Sequence, residues 1–291
     1  MTNLILSILS STVILILFKI IEKQKISIFP PIVINYIAAS ALGFSINNTA
    51  TPIHLHTISP WFMFSIIIGI LLIVNFYFIG SSTQKAGIAI TTVSAKMSFV
   101  LPVIFSLMFD INDSFSLTKA ILVLLALISV LLVISPSKYN INKHGSIIYP
   151  VLLFFGLGLL DSLVKYCQYH FIATPESSSL FSAVNFTVAG IIGLTLLLFS
   201  QKHKQALKQP KVWLIGITLG VANLGSMYFL INALNTLKFN SSLIFGINNI
   251  GIVILSVIIA SIFYKERFSK TNWVGLILSL LVLLGMIRIF I

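Results

Sequence analysis

Ten apolar runs, each long enough to cross a lipid bilayer as a helix, occupy most of the chain. A transmembrane helix needs about 20 predominantly apolar residues, with a range of roughly 17–25. The runs cover residues 3–21, 29–46, 60–81, 87–109, 117–135, 147–171, 178–199, 212–234, 239–263 and 271–290. This pattern predicts an all-α polytopic membrane protein with ten transmembrane helices.

The composition excludes an ordinary soluble protein. Hydrophobic residues make up 58% of the chain and charged residues 8%, whereas an average soluble domain carries about 25% charged residues. The formal net charge is +12, but the basic residues are scattered through short connections, so we expect the lipid bilayer and no nucleic acid as a partner. Cys167 is the only cysteine, which excludes a disulfide within the chain.

The basic residues lie mainly on one side of the predicted bundle. Connections after the odd-numbered runs hold twelve Lys or Arg residues and the opposite connections hold three, while Lys19, Lys96 and Lys165 lie inside runs. Because cytoplasmic connections are rich in Lys and Arg, we expect a multi-pass inner-membrane protein with both termini periplasmic. No Lys or Arg precedes the first run, which predicts a retained helix rather than a signal peptide.

The two halves of the sequence resemble each other at an offset of about 150 residues. Three pairs of segments match in the same order: 34–43 with 184–193, 76–79 with 227–230, and 113–116 with 266–269. Five spans per half would make the second copy enter the membrane from the opposite side. The sequence therefore predicts a 5+5 inverted repeat, with repeats at 1–143 and 144–291 that together form one transport domain.

Inverted repeats are the design of many secondary transporters, whose solute sites lie near the bilayer midplane between the repeats. We therefore expect a transporter rather than an enzyme, because the six acidic residues offer no catalytic constellation. A non-transporting membrane sensor or assembly subunit is the alternative. No phosphate-binding loop of the type GxxxxGK[ST] occurs, and neither a cofactor nor a metal is expected.

Two segments carry a resemblance to a known family. They are "YKERFSKTNWVGLILSLLVLLG" at 264–285 and "SFVLPVIFSLMFD" at 98–110, and the matching residues are Glu266, Arg267, Gly275 and Pro102. With five plus five short spans, the chain resembles the drug/metabolite transporter (DMT) superfamily, EamA-type branch. The resemblance implies movement of a small solute, often export of amino acids or other metabolites, without ATP hydrolysis. The first copy has "NDSFS" where the second has the Glu-Arg pair, and the second lacks the proline.

Lys96 and Asp161 are charged residues deep inside predicted spans, where a charge costs about 2.5–3.5 kcal/mol on insertion scales. Lys96 could contact an anionic group of the solute, serve as a structural counter-ion, lose its proton, or reach the lipid edge. Asp161 could pair with Lys96 across the repeats or with Lys165 one turn along its own helix. It could also carry a coupling proton.

Other polar residues inside the spans form a second set of candidates. Asn75, Tyr77, Tyr228, Asn223 and Asn249 are expected to line a solute cavity. Asn35 and Asn185 occupy matching places in the two halves and are equally consistent with hydrogen bonds between helices. The GxxxG spacing of Gly216 and Gly220 predicts close helix packing, and the loop residues His54 and His56 are expected to be exposed.

Together these features predict alternating-access transport of a small polar or amphipathic metabolite, with an amino acid or related solute as the first expectation and export as the expected direction. Import of a sugar, nucleoside or cationic drug is the alternative within the transporter class. Protons are a candidate coupling ion, and the protein is expected to be a monomer or homodimer.

Overall fold

The computed structural model describes residues 1–46, 60–109, 116–135, 147–171, 175–236 and 241–290, and the regular structure of these ranges is helical. The first half contains α1 (Thr2–Lys23), α2 (Phe29–Ile46), α3 (Pro60–Lys85), α4 (Ile88–Met97), α5 (Val100–Phe109) and α6 (Leu117–Ile134). The second half contains α7 (Ile148–Phe171), α8 (Pro175–Leu198), α9 (Gln201–Ala206), α10 (Pro210–Thr236), α11 (Ser241–Ile262) and α12 (Lys270–Phe290).

The membrane-spanning helices match the ten apolar runs. Among the described residues, nine helical segments are long and apolar enough to cross a membrane, with α4 and α5 counted as one, and α2 is a shorter apolar helix. The prediction of an all-α polytopic membrane protein is confirmed. Helix α9 was not predicted and lies within the connection before α10. The repeat boundary at 143/144 lies outside the described residues and stays a prediction.

Helix packing follows a pattern that repeats when each helix is exchanged for its counterpart in the other half. The contact of α2 with α10 is matched by α8 with α3, that of α1 with α10 by α7 with α3, and that of α1 with α11 by α7 with α4. Counterparts also pack directly, as α2 with α8, α4 with α11, and α6 with α12. The most extensive contacts all join one half to the other, so the halves form one interlocked bundle.

Small residues bring α10 against α2. A Cβ atom at Gly220 would lie 2.7 Å from both the Asn35 carbonyl oxygen and Ala38 Cβ, and one at Gly216 would lie 2.6 Å from Ile34 Cβ. Helices in lipid associate through such close approach, because lipid tails are as apolar as the side chains and supply no hydrophobic drive. The packing role predicted from the GxxxG spacing is confirmed.

Gly220→Ala is expected to destabilise the bundle by about 1–3 kcal/mol, because the added methyl group meets backbone atoms that cannot move aside. Gly190→Ala on α8 is the matched control, since its Cβ would meet Ile37 at an ordinary 3.5 Å. The measurement is the thermal unfolding midpoint of each detergent-solubilised variant. Equal midpoints for the two variants would contradict the packing explanation.

Candidate functional site

Lys96 lies next to a break in a membrane-spanning helix. Helix α4 ends at Met97 and α5 begins at Val100, so the predicted span 87–109 is divided in two. Pro102 has no N–H to donate to the Ser98 carbonyl oxygen, which instead accepts from the Leu101 N–H at 3.0 Å. Transporter sites are often built at such interrupted helices. The second copy lacks the proline, and α11 runs uninterrupted over the corresponding span.

Asp161 is exposed on α7, but not on the face that lipid would cover. Leu152, Phe155 and Leu159 form an exposed apolar stripe along α7. At 100° per residue, Asp161 projects about 150° away from that stripe. Its side chain therefore lies away from the exposed apolar face of α7.

Lys96 and Asp161 face each other across the packed helices α4 and α7. Lys96 is half-buried, and the two charges interact electrostatically. Their side-chain charges are not within 4.0 Å of each other, so they form no direct ion pair. The site therefore contains a base and an acid on two helices that pack against each other.

Asn75 lies in the contact between α3 and α7 and is only 1% exposed. Its amide nitrogen donates to the Gly156 carbonyl oxygen at 2.9 Å, and its Oδ1 atom has no hydrogen-bond partner among the described residues. Gly156 lies on the same helix as Asp161, five residues earlier. Asn75 thus forms a hydrogen bond between α3 and α7 and does not line an accessible cavity.

The remaining amides occupy different places. Asn223 on α10 donates to Asn35 Oδ1 on α2 at 3.3 Å, which makes this pair a hydrogen bond between the two halves. Asn185 is buried on α8, and its Oδ1 has no partner in the described part of the chain. Asn249 is half-buried on α11, the helix that packs directly on α4.

Tyr77 and Tyr228 lie on exposed faces of α3 and α10, with 39% and 43% of their surface accessible. Each belongs to a stripe of exposed aliphatic residues at helical spacing: Ile66, Ile70 and Val74 on α3, and Leu214, Ile217 and Val221 on α10. The structure does not bring these tyrosines together with Lys96 and Asp161. Their role as solute ligands stays a prediction.

In the sequence, Glu266 was only one of the residues that match the family pattern. The structure shows that its carboxylate binds the start of α4. Glu266 follows α11, and its Oε1 atom accepts a hydrogen bond from the Ile88 N–H at the start of α4, at 2.8 Å. Lys19 Nζ on α1 is 4.0 Å from the same oxygen. The signal in the sequence was an acidic residue after a long apolar run, but its partner is 178 positions away.

Asn272 is a second residue whose contacts were not predicted from the sequence. Its Oδ1 accepts from the backbone N–H of Ser269 at 3.0 Å, while its amide nitrogen donates to the carbonyl oxygens of Val133 at 2.8 Å and Ser135 at 3.1 Å. It therefore caps the start of α12 and binds the end of α6 at once. The described residues contain no cluster of three or more His, Cys, Asp or Glu suited to a metal ion.

The comparison with protein families gives a match over the second half of the chain. The EamA-like transporter family matches residues 147–288, from the start of α7 almost to the end of α12. The chain carries an EamA-like transporter domain. The resemblance to the DMT superfamily is thereby confirmed, and the match supports a multi-pass membrane transporter of that type.

Similarity to two further proteins extends over both halves of the chain. An uncharacterized protein of Haemophilus influenzae is 29% identical over 290 residues, which cover 96% of this chain and 95% of the relative. A crystal structure that is 13% identical superposes with a TM-score of 0.50 over 98% of this chain and 97% of the other. At that identity the likeness shows the fold alone.

Proposed function

We propose that this protein is a secondary transporter that moves a small zwitterionic metabolite, such as an amino acid or a related solute, across the inner membrane by alternating access. Export is the proposed direction. The odd-numbered connections, which carry most of the basic residues, are proposed to face the cytoplasm, with both termini periplasmic.

The observation that carries this proposal is the pair of opposite charges, Lys96 and Asp161, on the packed helices α4 and α7, which interact electrostatically without a direct ion pair. A zwitterion bears a carboxylate and an ammonium group a few ångströms apart, and each would meet an opposite charge at this pair of residues. Ionisable residues inside membrane spans are costly and mark substrate or ion pathways as a rule. Lys96 would bind the carboxylate of the solute and Asp161 its ammonium group. When no solute is bound, the charges of Lys96 and Asp161 would stabilise each other.

Asn75, whose amide bonds the Gly156 carbonyl oxygen on α7, is proposed to position α7 and thereby Asp161. Asn249 on the facing helix α11 is proposed to orient the rest of the solute. Asp161 is also the proposed carrier of a coupling proton, since it is the one acidic residue within a predicted span.

The test is counterflow in proteoliposomes that contain only the purified protein and a high internal concentration of one unlabelled amino acid. Labelled amino acid outside should accumulate transiently, and liposomes without protein should show none. A pH gradient of either sign should alter initial rates if protons are coupled. No accumulation for any of the common amino acids would overturn the proposed substrate class, and nucleosides, sugars and lipophilic cations would then be tested.

A further inference from the structure

At one side of the bundle, a single carboxylate from the second half of the chain lies against α4 and α1 of the first half, and a lysine beside it contacts α3. We call this group the Glu266 cluster, and it consists of Lys19, Gln84, Gly87, Ile88 and Glu266. It lies where α3 ends and α4 begins, next to the end of α11. The connections on this side carry Lys85, Lys265 and Arg267.

The end of α11 is shaped to present Glu266. Lys265 adopts a left-handed backbone conformation with φ of 52°, and the Glu266 N–H donates back to the Ala260 carbonyl oxygen at 2.9 Å. This bond to a carbonyl six residues back closes the end of α11. It fixes the backbone of Glu266 and so restricts where its carboxylate can lie.

The start of α4 receives that carboxylate. Ile88 donates its backbone N–H to Glu266 Oε1 at 2.8 Å, and the positive end of the α4 dipole favours the negative charge. Gly87 has a φ of 111°, which favours glycine, and a Cβ atom there would lie 2.6 Å from Glu266 Oε2. Glycine is therefore required at this position for two separate reasons.

Lys19 brings α1 and α3 to the same point. It is 8% exposed, and its Nζ atom lies 4.0 Å from Glu266 Oε1, 3.0 Å from Glu22 Oε2 and 3.5 Å from the Gln84 carbonyl oxygen. A small cluster of buried apolar residues lies in the same region, namely Leu15, Ile88, Ala89 and Ala260. The Glu266 cluster thus combines polar contacts with a neighbouring group of buried apolar residues.

We propose that Glu266 is a positioning residue for transport, which holds the start of α4 and closes the bundle on the side of the Glu266 cluster. Lys96 lies eight residues along α4 from Ile88, about 12 Å of helix. When the bundle opens on this side, the bond from Ile88 to Glu266 breaks and α4 moves together with Lys96. The inference rests on the alternating access of the proposed function.

The experiment measures access to the inner site without any solute. In a Cys167→Ser background, Asp161→Cys supplies one thiol on the inward face of α7, and an impermeant maleimide is applied from each face of sealed vesicles. Adding Glu266→Ala should raise the labelling rate from the Lys85 face by about 10- to 100-fold, which corresponds to loss of a charged hydrogen bond. Labelling from the opposite face should fall.

Two further variants sharpen this test. Glu266→Gln keeps an oxygen that accepts from Ile88 and loses the charge, so its labelling rate should lie between those of the parent and Glu266→Ala. Glu22→Gln is the matched control, because Glu22 also bonds Lys19 but belongs to the same helix; its labelling should equal that of the parent. If Glu266→Ala does not fold, as judged by gel filtration, Lys19→Met takes its place with the same expectation.

Labelling that is unchanged, or that rises equally from both faces, would overturn the inference, since the second result reports general loosening. Because no solute is involved, the two proposals fail separately. A one-sided rise without any solute flux in proteoliposomes would leave the positioning role standing and remove the proposed function. Solute flux without a one-sided rise in labelling would support the proposed function and overturn the positioning role of Glu266.

Discussion

Lys96→Met is expected to lower counterflow of an amino acid by about 10- to 100-fold, because a charge-assisted hydrogen bond contributes roughly 1.5–3 kcal/mol. Asp161→Asn is expected to cause a similar loss. The Lys96 variant should lose its preference for solutes with a carboxylate, so an amine without that group should be moved equally well by variant and parent. Asp161→Asn should instead lose the preference for an ammonium group.

Initial rates of labelled amino acid, amine and carboxylic acid in proteoliposomes distinguish a solute site from a structural pair. Lys96→Arg keeps the charge and should retain part of the flux. Lys165→Met is the matched control on the Asp161 helix and should leave the selectivity unchanged. If both charge-removing variants lose all three solutes equally, and the exchanged pair Lys96→Asp with Asp161→Lys recovers them, the charges are structural.

Asn272→Ala is expected to destabilise the protein by about 2–4 kcal/mol. The substitution removes an acceptor at the start of α12, which is worth about 0.5–2 kcal/mol, and leaves carbonyl groups at the end of α6 without their donor, at about 1–3 kcal/mol. The detergent-solubilised variant should unfold roughly 4–16 °C below the parent, since 1 kcal/mol corresponds to about 2–4 °C in domains of about 150–250 residues.

Two variants on α12 separate these contributions. Asn272→Asp keeps the acceptor for Ser269 and loses the donor to Val133 and Ser135, so it should remain destabilised. Ser279→Ala is the control, because the Ser279 hydroxyl donates only to Leu276 within its own helix, at 2.7 Å; its midpoint should stay close to that of the parent. An Asn272→Ala midpoint equal to that of Ser279→Ala would show that the contact between α6 and α12 is not stabilising.

The positions of the spans could be predicted because the bilayer fixes the length of apolar helix that is needed. Each predicted run ends within a few residues of an observed helix end, although the break after Met97 was not foreseen. Pro102 was recognised in the sequence, but a proline in a membrane helix can be accommodated by a kink as well as by an interruption. Only the surrounding helices decide between these outcomes.

The candidate site was predicted in part. Charge alone made Lys96 and Asp161 conspicuous, and the structure brings them to facing helices. Which neighbours join them could not be predicted, because Asn75 and Tyr77 are two residues apart and point in directions about 160° apart on a helix. One enters the contact with α7 and the other lies on an exposed apolar stripe.

By itself the sequence determined the membrane class, the number of spans and the two charges within them, because these depend on local composition and on the thickness of the bilayer. The tertiary structure decided which face of each helix is inward. Lipid and protein interior are both apolar, so hydrophobic periodicity does not distinguish them. It also decided the contacts of Glu266 with Ile88 and of Asn272 with Val133, because each joins residues from opposite halves of the chain that no local pattern relates.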